Sequence, residues 1–163
     1  MVVDRSGYRI NVGIIIANAS GHVFWGRRLG QDAWQFPQGG VMLHETLEAA
    51  VFRELYEEVG LTADDVELVT QTQGWLRYRL PDKFIRQHAK PKVIGQKQKW
   101  FLLRLVVSDQ KVKLNISKTP EFDSWRWVDI ETPPKHVIYF KRRVYREALK
   151  EFKPYLTVDP STC

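Results

Sequence analysis

The spacing of apolar residues changes along this chain, and each change predicts an element. From Ile10 to Ala17 the apolar positions run almost without interruption and include the consecutive isoleucines Ile14, Ile15 and Ile16. A short unbroken run of this kind predicts a strand covered on both faces, and Asn18-Ala19-Ser20-Gly21 predicts the turn into a second strand, His22 to Arg28. Trp34 to Gly40 (Trp-Gln-Phe-Pro-Gln-Gly-Gly) holds so many breakers that it predicts a loop presenting its backbone. Glu45 to Val59 then takes a helical period, with Thr46 as N-cap and Gly60 just past the end. Runs rich in β-branched and aromatic residues predict strands at Val66 to Gln73, Trp75 to Leu80, Lys99 to Val107 and Trp125 to Val128. Pro133-Pro134 predicts a break. Phe140, Val144, Leu149 and Phe152 recur at near-helical spacing and predict a closing amphipathic helix. Several strands, one central helix and one terminal helix make an α+β chain, a mixed β-sheet with helices packed on it.

Composition narrows the class. The chain has 163 residues with 44% apolar residues, which suits one domain over residues 1–163 that needs neither disulfides nor a structural metal to build a core. There is no repeat, low-complexity tract or Gly/Ser linker to divide it. The single cysteine, Cys163, is the last residue, so no internal bridge forms and the cytoplasm is the expected location. Val12 to Ala17 is too short to span a bilayer, and Asp4 and Arg5 do not lead into a secretory segment. No membrane partner is expected. The net charge of +6 favours acidic partners such as nucleotides or nucleic acid.

The predicted helix carries its charges in an unexpected place. Leu47, Ala50, Val51 and Leu55 define its apolar arc, yet Glu54 and Glu58 fall inside that arc and Glu57 lies at its edge. A solvated acidic face is the plain alternative. Such a face normally carries Lys or Arg three or four positions away, and Glu54 and Glu58 have none at those offsets. Carboxylates at i,i+4 repel, more so as burial lowers the effective dielectric. Arg53 reaches Glu57 at i+4 but faces away from the strip, so it is expected to orient one carboxylate without neutralising three. A divalent cation is the economical counter-charge, and clustered oxygen donors suit Mg²⁺ or Mn²⁺ rather than zinc. The histidines His22, His44, His88 and His136 have no ligand spacing.

Around the strip the chain reads Gly39, five residues, Glu45, seven residues, Arg53-Glu54-Leu55, one residue, Glu57-Glu58, one residue, Gly60-Leu61. This segment, residues 39–61, resembles the signature of the Nudix hydrolases at every fixed position. Gly7 to Gly13, Trp34 to Gly40, Gly95 to Phe101 and Pro120 to Trp127 resemble the bacterial branch of that family that acts on the 5′ ends of RNA, a branch also described as hydrolysing dinucleoside polyphosphates. The likeness runs from about Gly7 to Phe152. It departs at Ile10, where relatives often have proline, and in the short tail after Phe152.

The resemblance implies a mixed sheet sandwiched between helices (α/β/α) and metal-dependent removal of pyrophosphate from 5′-triphosphorylated RNA, leaving a 5′-monophosphate. Hydrolysis of diadenosine polyphosphates is the alternative substrate. A catalytically silent RNA-binding module is the alternative class, against which the intact carboxylates argue. By resemblance Glu54, Glu57 and Glu58 hold more than one Mg²⁺ or Mn²⁺ ion, with the Gly39 carbonyl completing the shell and Arg53 among the catalytic residues. Glu121 is a fourth metal-binding or water-activating carboxylate, and Glu45 has a supporting role. Arg28 and Phe140 sandwich a base near the RNA 5′ end, Arg9 and Lys141 meet phosphates, and Tyr78 is a further substrate-binding residue. No protein activator is indicated.

Charge is partitioned accordingly. Residues 39–61 contain five glutamates and one arginine, a net of −4, and the other residues carry +10. An acidic strip inside a basic domain is suited to attracting a polyanion and cutting it. The basic run from Arg77 to Lys99, interleaved with Tyr78 and Phe84 and followed by Trp100, and the basic run from Lys135 to Arg146 are the expected RNA rim.

Overall fold

The computed structural model describes residues 1–156, so Cys163 lies outside the described residues. The long apolar run becomes β1 (Tyr8–Ala17), and its partner across the Asn18 to His22 turn is β2 (Val23–Arg28). The remaining strands are β3 (Trp34–Gln35), β4 (Gln38–Gly40), β5 (Val66–Gln71), β6 (Leu76–Arg79), β7 (Gly95–Leu105) and β8 (Phe122–Val128). They form one mixed sheet. β1 lies parallel to β7 along its whole length, from Tyr8 opposite Gly95 to Ala17 opposite Arg104, whereas the other ladders are antiparallel. β1 is buried on both faces, as expected for a central strand fed by a parallel neighbour.

Helices cover both faces. α1 (Leu47–Val59) packs Ala50, Val51, Leu55 and Val59 with Val12, Ile14, Phe101 and Leu103 on one side. On the other, α3 (Arg142–Phe152) packs Val144, Tyr145, Leu149 and Phe152 with Ile15, Trp25, Trp100 and Leu102. Alternate residues of one strand thus feed two cores, which is the α/β/α sandwich anticipated from the sequence. No helix among the described residues is long and apolar enough to cross a membrane.

The structure differs from the sequence pattern at several points. Trp34 to Gly40 is not a plain loop: its two halves pair as β3 with β2 and as β4 with β1, leaving Phe36-Pro37 as the bend. Pro133-Pro134 does not end structure; it opens the short helix α2 (Thr132–His136), where a proline in the first turn forfeits only an amide that has no helical partner. Phe140 is not on the closing helix. It sits in a 3₁₀ turn, Tyr139–Lys141, just before α3. β7 begins at Gly95 rather than Lys99, because buried Gln98 takes an inward position with a hydrogen-bonding role and hides the alternation.

Candidate active site

α1 is held at both ends. The Thr46 hydroxyl accepts from the Ala49 amide at 3.1 Å, and Gly60, at φ 77°, turns the chain away in the left-handed conformation while its amide donates to the Tyr56 carbonyl. The apolar anchors fix the helix rotation, and that rotation sorts the three glutamates by depth. Glu58 is buried, Glu54 is half-buried and Glu57 is exposed. Burial, then the charges of Glu54 and Glu121, push the Glu58 carboxyl well above the usual carboxylate range, and its Oε2 has no partner among the described residues. Burial likewise raises Glu54, opposed by the neighbouring Arg53 guanidinium.

Arg53 does more than the sequence predicted. It does not face away from the strip. Nε and Nη2 donate to the two Glu45 oxygens at 2.8 and 2.9 Å, Nη1 donates to Glu54 at 2.7 Å, Nη2 also donates to the Gly40 carbonyl at 2.8 Å, and Glu57 stands 3.6 Å away. A planar fork with several fixed donors can tie helix start, helix middle and β4 together, which an ammonium could not. These bonds hold Glu45 below the usual carboxylate range. Glu45 also accepts from the Met42 amide at 3.0 Å, so it braces the entry to α1.

The glycine pair of β4 allows two charged groups to close on the backbone. A Cβ at Gly39 would overlap the Glu54 carboxylate, and one at Gly40 would overlap the Arg9 guanidinium. Glu54 and Arg9 therefore approach adjacent residues of one strand, whose side-chain positions alternate between faces.

Arg9, Arg28 and Lys141 meet Glu54 and Glu121 around one cavity of about 320 Å³ floored by Gly39-Gly40. Gln35, which no motif in the sequence marks as a site residue, links its far wall. The Gln35 amide nitrogen donates to Glu121 at 3.3 Å, and its oxygen accepts from Lys141 Nζ at 3.2 Å. Arg28 is 3.7 Å from the same Glu121 oxygen. Burial, with the Arg28 charge, brings Lys141 down to about 8. The signal that could have found Gln35 was the pairing potential of Trp34-Gln35 as a strand.

A second cavity of about 510 Å³ adjoins the first, sharing Arg28, Gln35 and Lys141, and is lined by Trp34, Tyr78, Phe84 and Phe140. Arg28 and Phe140 thus border one space. Phe140 packs on Tyr78 and Phe84 at centroid distances of 5.7 and 5.8 Å. Tyr78 is buried beneath it. Its hydroxyl accepts from the Gln38 side chain at 3.3 Å, and burial pushes the phenol up to about 12. It supports the cavity floor rather than standing free at the rim.

The structure brings together Arg9, Arg28, Lys141, Glu54, Glu121 and Gly39, places Glu58 behind them, and leaves Glu57 at the helix surface against Arg53. No three acidic or imidazole side chains among the described residues form a closed metal-binding group. The donor set nevertheless fits a hard divalent cation. It offers carboxylate oxygens on a rigid helix beside a backbone loop, one of them buried and unpartnered at Glu58, and no thiolate.

Residues 7–148 match the family model described as NUDIX domain. A curated protein called RNA pyrophosphohydrolase from Legionella pneumophila (strain Paris) is 59% identical over 162 residues, covering 99% of this chain and 93% of its own. Another of that name from Alkalilimnicola ehrlichii is 60% identical over 158 residues, covering 97% and 87%. Among solved structures, the E. coli dihydroneopterin triphosphate pyrophosphohydrolase superposes with a TM-score of 0.69 at 21% identity over 88% of this chain and 98% of that one, a likeness of fold.

Proposed function

The chain belongs to the Nudix family and is a hydrolase, and from that premise we propose that it removes pyrophosphate from the 5′-triphosphate end of RNA, leaving a 5′-monophosphate and opening the transcript to decay. The observation that carries this reading is the junction of two cavities, one cationic with carboxylates across from the cations, the other aromatic, joined at Arg28, Gln35 and Lys141. Its relatives in two bacterial genera bear the name of that activity.

In this site the polyphosphate lies between Arg9, Arg28 and Lys141, which neutralise its oxygens and hold the anhydride over Gly39-Gly40. A base near the 5′ end enters the aromatic cavity between the Arg28 guanidinium and the Phe140 ring. A water oxygen bonds to phosphorus, the anhydride P–O bond breaks with its electron pair going to the departing pyrophosphate, and Glu121 takes the water proton. Glu54, Glu57, Glu58 and Glu121, with the Gly39 carbonyl, would hold Mg²⁺ or Mn²⁺, more than one ion, which supplies charge neutralisation and acidifies water. Arg53 and Glu45 set the angle of the carboxylate-bearing helix. The site works in the cytoplasm, where triphosphorylated transcripts arise.

The same junction accepts a dinucleoside polyphosphate, with one base in the aromatic cavity. Cleavage of a triphosphorylated oligonucleotide and of a dinucleoside tetraphosphate, compared at matched concentration with Mg²⁺, decides between them. A higher kcat/KM on the tetraphosphate overturns the RNA assignment. Glu57→Gln separates an enzyme from a silent RNA-binding module: turnover is abolished while RNA binding in Ca²⁺ is largely kept. Unchanged turnover overturns the metal assignment.

A further inference from the structure

A third cavity, of about 240 Å³, opens beside the other two and takes no part in the chemistry above. It shares Arg9 with the cationic cavity and Leu80 and Phe84 with the aromatic one. Its outer wall is the segment between β6 and β7, with Arg86 and Ala89; its inner wall is Arg9 and Gln96. Phe84 is the partition. Its exposed ring packs toward Phe140 at 5.8 Å, and Lys83 Nζ stands over it at 5.1 Å.

Position and size both limit the occupant. The cavity touches the place proposed for the polyphosphate and the place proposed for the base between Arg28 and Phe140, so a group reaching it is one that the same polyanion carries. Sites that enclose drug-sized ligands run from about 300 to 1,000 Å³, so this one has room for a flat ring system rather than a whole nucleotide. Mixed apolar and cationic walls, an aromatic edge and a guanidinium are the surfaces on which bases stack.

The inner wall is also unsatisfied. Arg9 and Gln96 are register partners across β1 and β7, and Arg9 Nε and Gln96 Oε1 have no hydrogen-bond partner among the described residues. Buried groups of this kind are paired in native proteins. The terminal torsion of a glutamine is broad and roughly two-fold, so its amide can turn toward the cavity and offer either a donor or an acceptor. A base edge, carrying a carbonyl or ring nitrogen beside an N–H, complements such a wall.

We propose that this cavity is a second nucleobase subsite, holding the base that the Arg28–Phe140 cavity does not, so that two bases of one substrate flank Phe84. The inference rests on the reading of the aromatic cavity as the first base site. The second base belongs either to a neighbouring RNA nucleotide or to the far nucleoside of a dinucleoside polyphosphate.

The test measures kcat/KM along two series. One runs through pppN, pppNpN and pppNpNpN, and the other compares a nucleoside tetraphosphate with a dinucleoside tetraphosphate. The native chain gains at least tenfold at the step that adds the second base. Ala89→Trp, which fills the cavity, erases that step, and Arg86→Gln, at an exposed position that leaves the core untouched, reduces it. A step confined to the first series assigns the base to RNA; a step confined to the second assigns it to the dinucleoside. Absence of a step in both series, or a full step retained in both variants, overturns the subsite. Failure of the native chain to cleave any member of the first series overturns the RNA reading instead, and the second series still decides the subsite.

Discussion

Replacing Glu58 by Gln is expected to make the metal-free protein more stable and less able to work. Glu58 is buried, its Oε2 is unpartnered among the described residues, and Glu54 and Glu121 press negative charge on it. Glutamine keeps the shape and removes the charge. Its oxygen still accepts from the Gln38 amide, and its nitrogen can donate to Glu54. Leaving a buried polar group unsatisfied costs about 1–3 kcal/mol, more for a charge, so relief of about 2 kcal/mol is a fair expectation. At about 2–4 °C per kcal/mol for a chain of this size, the variant should melt about 4–8 °C higher.

The pH dependence is a sharper discriminator than the shift itself. The folded-state value of Glu58 lies above its ordinary 4.5, so the folded chain binds more protons than the unfolded one between the two values, and stability falls as pH rises through that window. Native and variant should therefore unfold together near pH 4 and separate toward neutrality. Thermal unfolding in chelator at pH 4 and pH 7.5 measures the gap. Mg²⁺ should then stabilise the native chain in proportion to ln(1 + [Mg²⁺]/Kd) and the variant far less. A variant no more stable at pH 7.5, or a gap equally wide at pH 4, refutes the reasoning.

Other perturbations address separate parts of the site. Arg53→Lys cannot keep the bonds to Glu45, Glu54 and the Gly40 carbonyl together, and should cost about 2–3 kcal/mol in urea unfolding; a loss below about 0.5 kcal/mol would show that the clamp contributes little. Gly39→Ala drives a methyl group into the Glu54 carboxylate and should lower kcat by about 10²-fold through displacement of that group, with circular dichroism confirming the fold; full activity contradicts the close approach. Lys141 loses its charge near pH 8 in the free protein, so kcat/KM should fall above that pH, whereas Lys141→Arg should hold its rate across the same range. Parallel pH profiles would remove Lys141 from phosphate binding. The same lowered value means that the folded chain binds fewer protons than the unfolded one between about 8 and 10.5, so this residue's contribution to stability rises over that interval.

Much of the scaffold was legible because local and tertiary preferences agree in it. Thr46, the apolar arc and Gly60 delimit α1 whether or not the sheet is known, and the β1 run admits little besides a central strand. The misread parts are places where a tertiary partner supplies what the local sequence withholds. Trp34-Gln35 and Gln38 to Gly40 become strands because β2 and β1 offer them ladders. Gln98 is polar but turns inward, since its amide donates to Asn11 at 2.8 Å and its oxygen accepts from Trp100. The candidate site divides in the same way. The helical period places Glu54 and Glu58 on the buried arc; it says nothing of Gln35, whose partners lie at Glu121 and Lys141, far away in sequence. Nor could spacing show that Arg53 contacts the strip, because its fork reaches back to Glu45 and β4 rather than following the helix surface.

The charges left without close partners follow from one physical arrangement. Arg53 is saturated by carboxylates and a carbonyl, so it stabilises the fold and offers little attraction to a ligand. Among the described residues Lys141 has only the neutral Gln35 for a hydrogen bond, and Arg28 only a 3.7 Å contact with Glu121. Behind the carboxylate wall, Glu58 lacks a partner among the described residues for one oxygen. If these opposite charges paired directly, the domain would gain stability and the cavity would close. The two-glycine floor and the Gln35 bridge hold them apart, at the distance where an anion can neutralise one wall and a cation the other. Binding polyphosphate and metal together then relieves both sets of desolvated charge at once, so the ligands are expected to bind with positive coupling.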